Sequence, residues 1–223
     1  MFTHRIKSVP VSADDNPRNS IGGAAVLPAE MKWPCCACGQ RMVLFFQLDV
    51  AEVFGLPFVP GSHLSVFMCP VDNDAPEQFR KYRLPGQFWK RRRQIDGKKR
   101  FYELVLHKPG IREQVHTVEP HLVQRGLSFN QKPEQIAGVQ GFKVGGHPFW
   151  VQGPNYHECA CGAEMQFLCQ LPENFPFRKT PNAPEQANSF SRNEYCLFLG
   201  NLVYVLACEA QCNPLAVHAV VQN

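Results

Sequence analysis

GGAAVLPAEMKWPCCACGQRMVLFFQL, residues 22–48, decides the fold, because residues 145–171 say it again as GGHPFWVQGPNYHECACGAEMQFLCQL. The two stretches align without a gap at an offset of 123. Gly22-Gly23 falls on Gly145-Gly146, Cys36 on Cys159, Cys38 on Cys161, Gly39 on Gly162, Met42 on Met165 and Gln47-Leu48 on Gln170-Leu171. Further on, GSHLSVFMC (residues 61–69) matches GNLVYVLAC (residues 200–208) at an offset of 139. A self-match of this length reads as an internal duplication, and the repeated unit carries cysteines at fixed places.

Within the repeat, residues 42–50 are an apolar run of strand length, and residues 165–171 copy it. Residues 64–68 predict the next strand. Residues 195–199 and 202–207 predict a strand pair around Gly200-Asn201, and residues 215–221 a last strand. Asp96-Gly97 between the strand-like runs 88–95 and 98–107 is a hairpin signal. Nineteen prolines and sixteen glycines interrupt the chain too often for long helices, whereas seventeen phenylalanines favour packed strands. The expected fold is α+β and predominantly β, internally duplicated, with two β-rich repeats packed into one body. Repeat one covers about 21–80, a basic connector with the hairpin 81–140, and repeat two 141–223. Residues 1–20 read as a polar leader, and the Pro- and Asn-rich insert 172–193 as a surface loop.

The opening MFTHRIKSVPVSADD has no apolar h-region, and no apolar run approaches the length of a membrane span. The expectation is a cytoplasmic protein without a membrane segment. Its ten cysteines are then reduced thiols, suited to metal binding or packing rather than disulfides.

Zinc takes about four ligands, and thiolates are favoured in structural sites. Repeat two offers Cys159, Cys161, Cys208 and Cys212 as two pairs. The first pair lies in a turn before a strand and the second begins where a strand ends, so the four can close a tetrahedron. Four thiols leave no position open for water, which marks a structural site rather than a catalytic one. In repeat one Cys36, Cys38 and Cys69 match, but Asn73 stands where repeat two has Cys212. Two residues compete for the fourth place, Cys35, which forms a C-x-x-C-G knuckle with Cys38, and Asp72. Cys169 and Cys196 fall on apolar strand positions and read as core, and His63, His157 and His218 are weaker ligand candidates than the thiols.

In combination these residues resemble the YwqG-like family, a bacterial domain of unknown function. The first set is Gly22-Gly23, Leu27-Pro28, Trp33-Pro34-Cys35, Cys38-Gly39, Met42, Phe45 and Gln47-Leu48-Asp49. The second is Lys143-Val144-Gly145-Gly146, Pro148, Cys159-Ala160-Cys161-Gly162, Met165-Gln166-Phe167-Leu168 and Gln170, closed by Cys208 and Cys212-Asn213-Pro214. The resemblance implies a duplicated, β-dominated α+β fold in a cytoplasmic bacterial protein. It implies no established reaction, and through relatives that neighbour secreted toxin systems it suggests an immunity protein.

Residues 80–100 hold ten of the 23 basic residues, among them Lys90, Arg91, Arg92, Arg93, Lys98, Lys99 and Arg100, against the single acid Asp96. Phe88, Trp89 and Phe101 flank the run. A basic ribbon of this kind docks an acidic protein surface, tracks a nucleic-acid backbone, or serves as a charged edge against aggregation. The chain has no G-x-S-x-G, P-loop, dinucleotide or H-E-x-x-H pattern, and Glu30, Asp49, Glu52, Glu103 and Glu119 are scattered carboxylates without catalytic spacing. The expected function is therefore non-catalytic, a protein-binding module with structural zinc at one or both centres, its partner a protein such as a toxin. A nucleic-acid binder using residues 88–101, or an enzyme with a site between the repeats, is the alternative.

Overall fold

The computed structural model describes residues 2–12, 15–76, 82–84, 94–95, 98–99, 101–134 and 137–223. The described residues include sixteen strands, of which β1 (Phe2–Val9), β2 (Ser20–Ile21), β3 (Ala24–Pro28), β4 (Val43–Asp49), β5 (His63–Met68), β6 (Gln94–Ile95), β7 (Lys98–Lys99) and β8 (Tyr102–His107) come first. Then come β9 (Glu113–Val118), β10 (Arg125–Pro133), β11 (Lys143–Val144), β12 (Met165–Leu171), β13 (Phe177–Arg178), β14 (Glu194–Tyr195), β15 (Leu202–Cys208) and β16 (Val217–Gln222). The fold is predominantly β. Among the described residues the only helical elements are the 3-10 turns Glu52–Phe54 and Phe198–Gly200, so the α part of the expected class has no α-helix there.

Ten strands form one antiparallel sheet in the order β16-β15-β12-β11-β1-β10-β2-β4-β5-β8. Its two outer strands approach each other, and Leu106 N–H donates to Pro214 O at 2.8 Å, so the sheet curls almost shut around its core. Residues of β4 explain why they lie at the heart of it. Val43, Leu44, Phe45, Phe46 and Leu48 are all buried, as expected of a β-branched and aromatic run covered on both faces.

The two halves of the sheet carry the same registers. In β4–β5, Leu44 faces Phe67 and Phe46 faces Val66, with the ladder shifting between them. In β12–β15, Phe167 faces Leu206 and Cys169 faces Val205, with the shift at the same place. A bulge re-aims a strand, so its recurrence fixes the same bend in both halves. Gln47 and Gln170, each fully buried, hold matching positions. Gln47 Oε1 accepts from Val26 N at 3.2 Å and Gln170 Oε1 from Phe149 N at 2.9 Å. Each glutamine ties its strand to the segment above it, β3 in the first half and residues 147–151 in the second, and its own amide donates to nearby oxygens.

The polar leader contains a central strand. β1 pairs along its whole length with β10, Ile6 opposite Phe129, and on its other side with β11, while β10 pairs with β2. A strand from residues 2–9 thus lies beside the second half, and one from residues 125–133, inside the connector, beside the first. Composition concealed β1 because Arg5, Lys7 and Ser8 alternate with the buried Thr3, His4 and Ile6 too irregularly to read.

The insert lies at the surface, as expected, and is anchored there: Phe177 stacks edge-on against Phe45 at 4.9 Å and Phe175 against Phe142 at 5.0 Å, so aromatic burial binds it to the body. One further expectation is corrected. No hairpin forms around Gly200-Asn201. β14 pairs with β13, a 3-10 turn follows, and β15 takes β12 and β16 as partners. The hairpin signal at Asp96-Gly97 agrees with the pairing of Ile95 with Lys98 and Gln94 with Lys99.

Candidate metal centres

The structure brings Cys159, Cys161, Cys208 and Cys212 to one place. The first two sit in a turn leading into β12. Cys159 N–H donates to Ala163 O at 2.7 Å and Gly162 N–H to Cys159 O at 2.9 Å. That turn needs φ of +96° at Gly162, a conformation that glycine adopts at no steric cost. Cys208 ends β15, and Gln211 N–H closes a turn on its carbonyl at 2.8 Å, delivering Cys212 back toward the others. Sγ of Cys159 and Cys212 lie 3.7 Å apart, and those of Cys161 and Cys208 3.6 Å apart. All four sulfurs fall within 4.8 Å of one another. A tetrahedron with Zn–S bonds near 2.3 Å has edges of about 3.8 Å, close to the two measured pairs, so the group could hold a metal ion.

Electrostatics agree with that fit. Burial pushes the Cys159 thiol up to about 11 and raises Cys212 as well, whereas the backbone N–H of Ala163 holds Cys161 below the ordinary thiol value. Four clustered thiols cannot all ionise unaided, because each new thiolate meets the charge of the last. A cation at their centre removes the obstacle and stabilises all four as thiolates.

The second group is Cys36, Cys38, Cys69 and Asp72. Its first pair repeats the turn: Cys36 N–H donates to Gln40 O at 2.8 Å, Gly39 N–H to Cys36 O at 2.9 Å, and Gly39 has φ of +88°. Sγ of Cys38 and Cys69 are 3.6 Å apart, Cys36 Sγ donates to Asp72 Oδ2 at 3.2 Å, and Asp72 N–H donates to Cys69 Sγ at 3.3 Å. Burial raises both Cys36 and Cys69. The donor set of three sulfurs and one carboxylate can also hold a metal ion.

Of the two competitors for the fourth place, Asp72 is in the group and Cys35 is not. Cys35 is exposed and its thiol turns to the Trp33 carbonyl at 3.8 Å. Adjacent residues in an extended segment point to opposite sides, so Cys36 facing inward carries Cys35 outward. Asn73, at the place of Cys212, faces the segment that follows the insert. Its Oδ1 accepts Leu199 N–H at 2.8 Å and its Nδ2 contacts Cys196 Sγ at 3.3 Å. Cys169 and Cys196 are buried away from both groups.

His63 is no ligand in either group. Its Nδ1 meets Asp49 at 2.8 Å and its Nε2 meets Gln47 at 3.1 Å. Arg18 contacts Asp49 through Nε and Glu113 through both terminal nitrogens, joining β4, β5 and β9 in one polar network that the linear sequence did not announce. His157 and His218 pack ring to ring at 5.1 Å outside the thiol group. Among the scattered carboxylates, Glu119 is structural, accepting Leu44 N–H at 3.0 Å and His121 N–H at 2.9 Å. Of the basic residues expected to contact a partner, Lys90, Arg91, Arg92, Arg93 and Arg100 lie outside the described residues. Lys98 and Lys99 form β7. No helix among the described residues is long and apolar enough to cross a membrane. Set against protein-family models and curated proteins, the chain matches none.

Proposed function

We propose that the chain is an internally duplicated scaffold of the YwqG-like kind, braced by structural zinc, that acts in the cytoplasm by stoichiometric protein binding, as an immunity protein neutralises a toxin. The observation that carries this reading is the closure of the thiol set Cys159, Cys161, Cys208 and Cys212 at tetrahedral spacing. Four protein ligands leave no place for water or substrate, the arrangement of a structural site, and thiolates favour zinc over harder cations. The duplication is supported by the repeated register, bulge and glutamine contacts. Protein binding is supported by a division of labour. The matched segments supply core strands and cysteines, while the unmatched connector supplies the basic run 80–100, a composition that steers an acidic partner.

Metal analysis of protein purified without chelator tests the zinc: two equivalents per chain are expected, and none would defeat the reading. Co-expression with toxins encoded beside the gene tests the partner. Arg91, Arg92 and Arg93 changed together to Glu should abolish capture while the fold and metal content persist. Tight, salt-sensitive capture of nucleic acid in place of protein would favour the alternative.

A further inference from the structure

In the first half an aromatic ring carries the chain's own cation. Arg41 lies 3.7 Å from the centre of the Trp33 ring and donates to Thr117 Oγ1 at 2.9 Å. Thr117 belongs to β9, which runs along β3, so ring, cation and covering strand lock together. At the offset of 123 the second half has Tyr156 for Trp33 and Glu164 for Arg41. A ring remains, 58% exposed, and a carboxylate stands where the cation was. The two stay close. Met165 N–H donates to His157 O at 2.8 Å and Cys159 N–H to Ala163 O at 2.7 Å, which sets Glu158 opposite Glu164 across the turn. Gln166 Nε2 donates to Glu164 Oε2 at 2.9 Å. Glu158 has its own cation, Arg83 Nε at 3.0 Å. Among the described residues no cation pairs with Glu164 or lies over Tyr156.

Tyr156, Glu164 and Gln166 line a cleft of about 640 Å³. That volume lies within the range of about 300–1,000 Å³ typical of small-molecule sites, which favour the junctions between structural units. This cleft lies at such a junction. Phe54 and Leu56 come from the turn after β4 in the first half, and Met165, Phe167 and Leu206 from β12 and β15 in the second. At its mouth Phe2, Val53, Tyr82 and Tyr156 are each more than half exposed. Large apolar side chains gathered at one opening mark an interaction site rather than scattered surface. Among the described residues lining the cleft, Glu164 is the one carboxylate and there is no Lys or Arg, in a chain of net charge +4. The other titratable groups there are the two tyrosines, His147 and His157. An aromatic face beside an unmatched carboxylate attracts a cation, and apolar walls favour one carried on an apolar body.

We infer that this cleft binds a small organic cation, an ammonium group on an aromatic or branched apolar body. The body fills the space between Phe54, Leu56 and Phe167, and the ammonium meets Tyr156 and Glu164. Arg41 over Trp33 is the template within the same chain: the first half supplies its own cation, and the second must take one from outside. The inference goes beyond the capture of a protein through the basic connector and does not depend on it.

The test is a titration of the full chain as purified, with its methionine methyl groups labelled for NMR. Met165 lines the cleft, whereas its repeat counterpart Met42 is wholly buried and serves as the internal control. The probe is phenethylammonium, with phenethyl alcohol and hydrocinnamate as the neutral and anionic forms of the same body. The ammonium should shift the Met165 methyl and saturate while Met42 stays in place, and the alcohol and the carboxylate should bind about tenfold more weakly or worse. Glu164→Gln should cost the ammonium about tenfold and bring it level with the alcohol, and Tyr156→Ala should cost it several fold. Both side chains are exposed, so unchanged thermal unfolding and metal content show that the variants are folded. No saturation by about 10 mM, equal binding of the alcohol or the carboxylate, indifference to Glu164→Gln, or matching shifts at Met42 would each overturn the inference. Such a failure leaves capture of a toxin through Arg91, Arg92 and Arg93 standing, and loss of that capture leaves the titration standing.

Discussion

The two thiol groups are built from one plan and finished differently. Both begin with a Cys-x-Cys-Gly turn before a bulged strand and add a cysteine at the end of the next strand. In the second half the chain then turns back through Gln211 and delivers a fourth sulfur, Cys212. In the first half the carboxylate of Asp72 completes the group, and the next residue, Asn73, is committed to the turn that follows the insert, through Leu199 and Cys196. Three sulfurs and an oxygen make a harder, less zinc-selective site than four sulfurs. The two groups thus differ in one donor, a sulfur in one and a carboxylate oxygen in the other, with Asn73 taken up by packing.

The largest expected effect is at the all-thiol centre. Cys212→Ser should lower the zinc content from two equivalents to one. Loss of a structural metal falls among the severe mechanisms, about 4 kcal/mol or more, which for a chain of this size lowers Tm by about 10 °C. Metal binding is coupled to folding, so content and melting point should fall together. Calorimetry and metal analysis on one preparation check it. If Tm falls with two zinc ions retained, the centre is a packed cluster and the comparison collapses.

Acid should separate the centres next. Burial holds Cys159, Cys36 and Cys69 above the ordinary thiol value, so without metal these groups keep their protons at neutral pH. Bound metal reverses the sign. The ligands stay ionised well below the free thiol value of about 8.5, so the stability it confers is present at neutral pH and lost as pH falls. The softer, tighter centre should release at the lower pH. Two steps of zinc release are expected, the first from the Asp72 centre, and Asp72→Cys should draw them together. A single step in the wild type would mean that the carboxylate makes no difference.

Much of this was legible in the sequence, and the rest was hidden for physical reasons. The repeat of Gly-Gly, Cys-x-Cys-Gly and Gln-Leu disclosed the paired turns and strands, because glycine turns and cysteine spacing are local features. The strands β1 and β10 were missed because they pair with segments distant in the chain, and their many exposed polar residues masked any alternation. The choice of Asp72 over Cys35 depends on which way one side chain points in an extended segment, which spacing alone leaves open. The exchange of Arg41 for Glu164 was readable in the aligned repeats, but it acquired meaning only when β9 was seen to cover one half and not the other.

Asn73 tests the packing side of the exchange. Asn73→Ala leaves Leu199 N–H without the acceptor it has at 2.8 Å. A buried donor stripped of its partner costs about 1–3 kcal/mol. The turn at residues 196–200 should loosen, and with it the insert that Gln186 ties to Cys196, seen as faster proteolysis within residues 172–193 while both zinc ions remain. Loss of zinc from the first centre in this variant would mean that the insert and the metal turn are one cooperative unit rather than neighbours.

The smallest effect should come from Cys35, and it decides the membership of the first centre. Cys35 is exposed, lies outside the group of four, and makes one weak contact to the Trp33 carbonyl. Cys35→Ser should therefore keep both zinc ions and change stability by no more than about 0.5 kcal/mol, the range of ordinary surface substitutions. Its chemistry should still mark it. The ligand thiolates are masked by metal, and Cys169 and Cys196 are buried, so Cys35 should be the thiol that a maleimide labels fastest in the native, metal-loaded protein. The wild type should show one fast label and Cys35→Ser none. If instead the variant gives up one zinc ion, the first centre uses the Cys35 and Cys38 knuckle and Asp72 is a bystander. Both centres would then be four-sulfur sites, and their different answers to acid would need another cause.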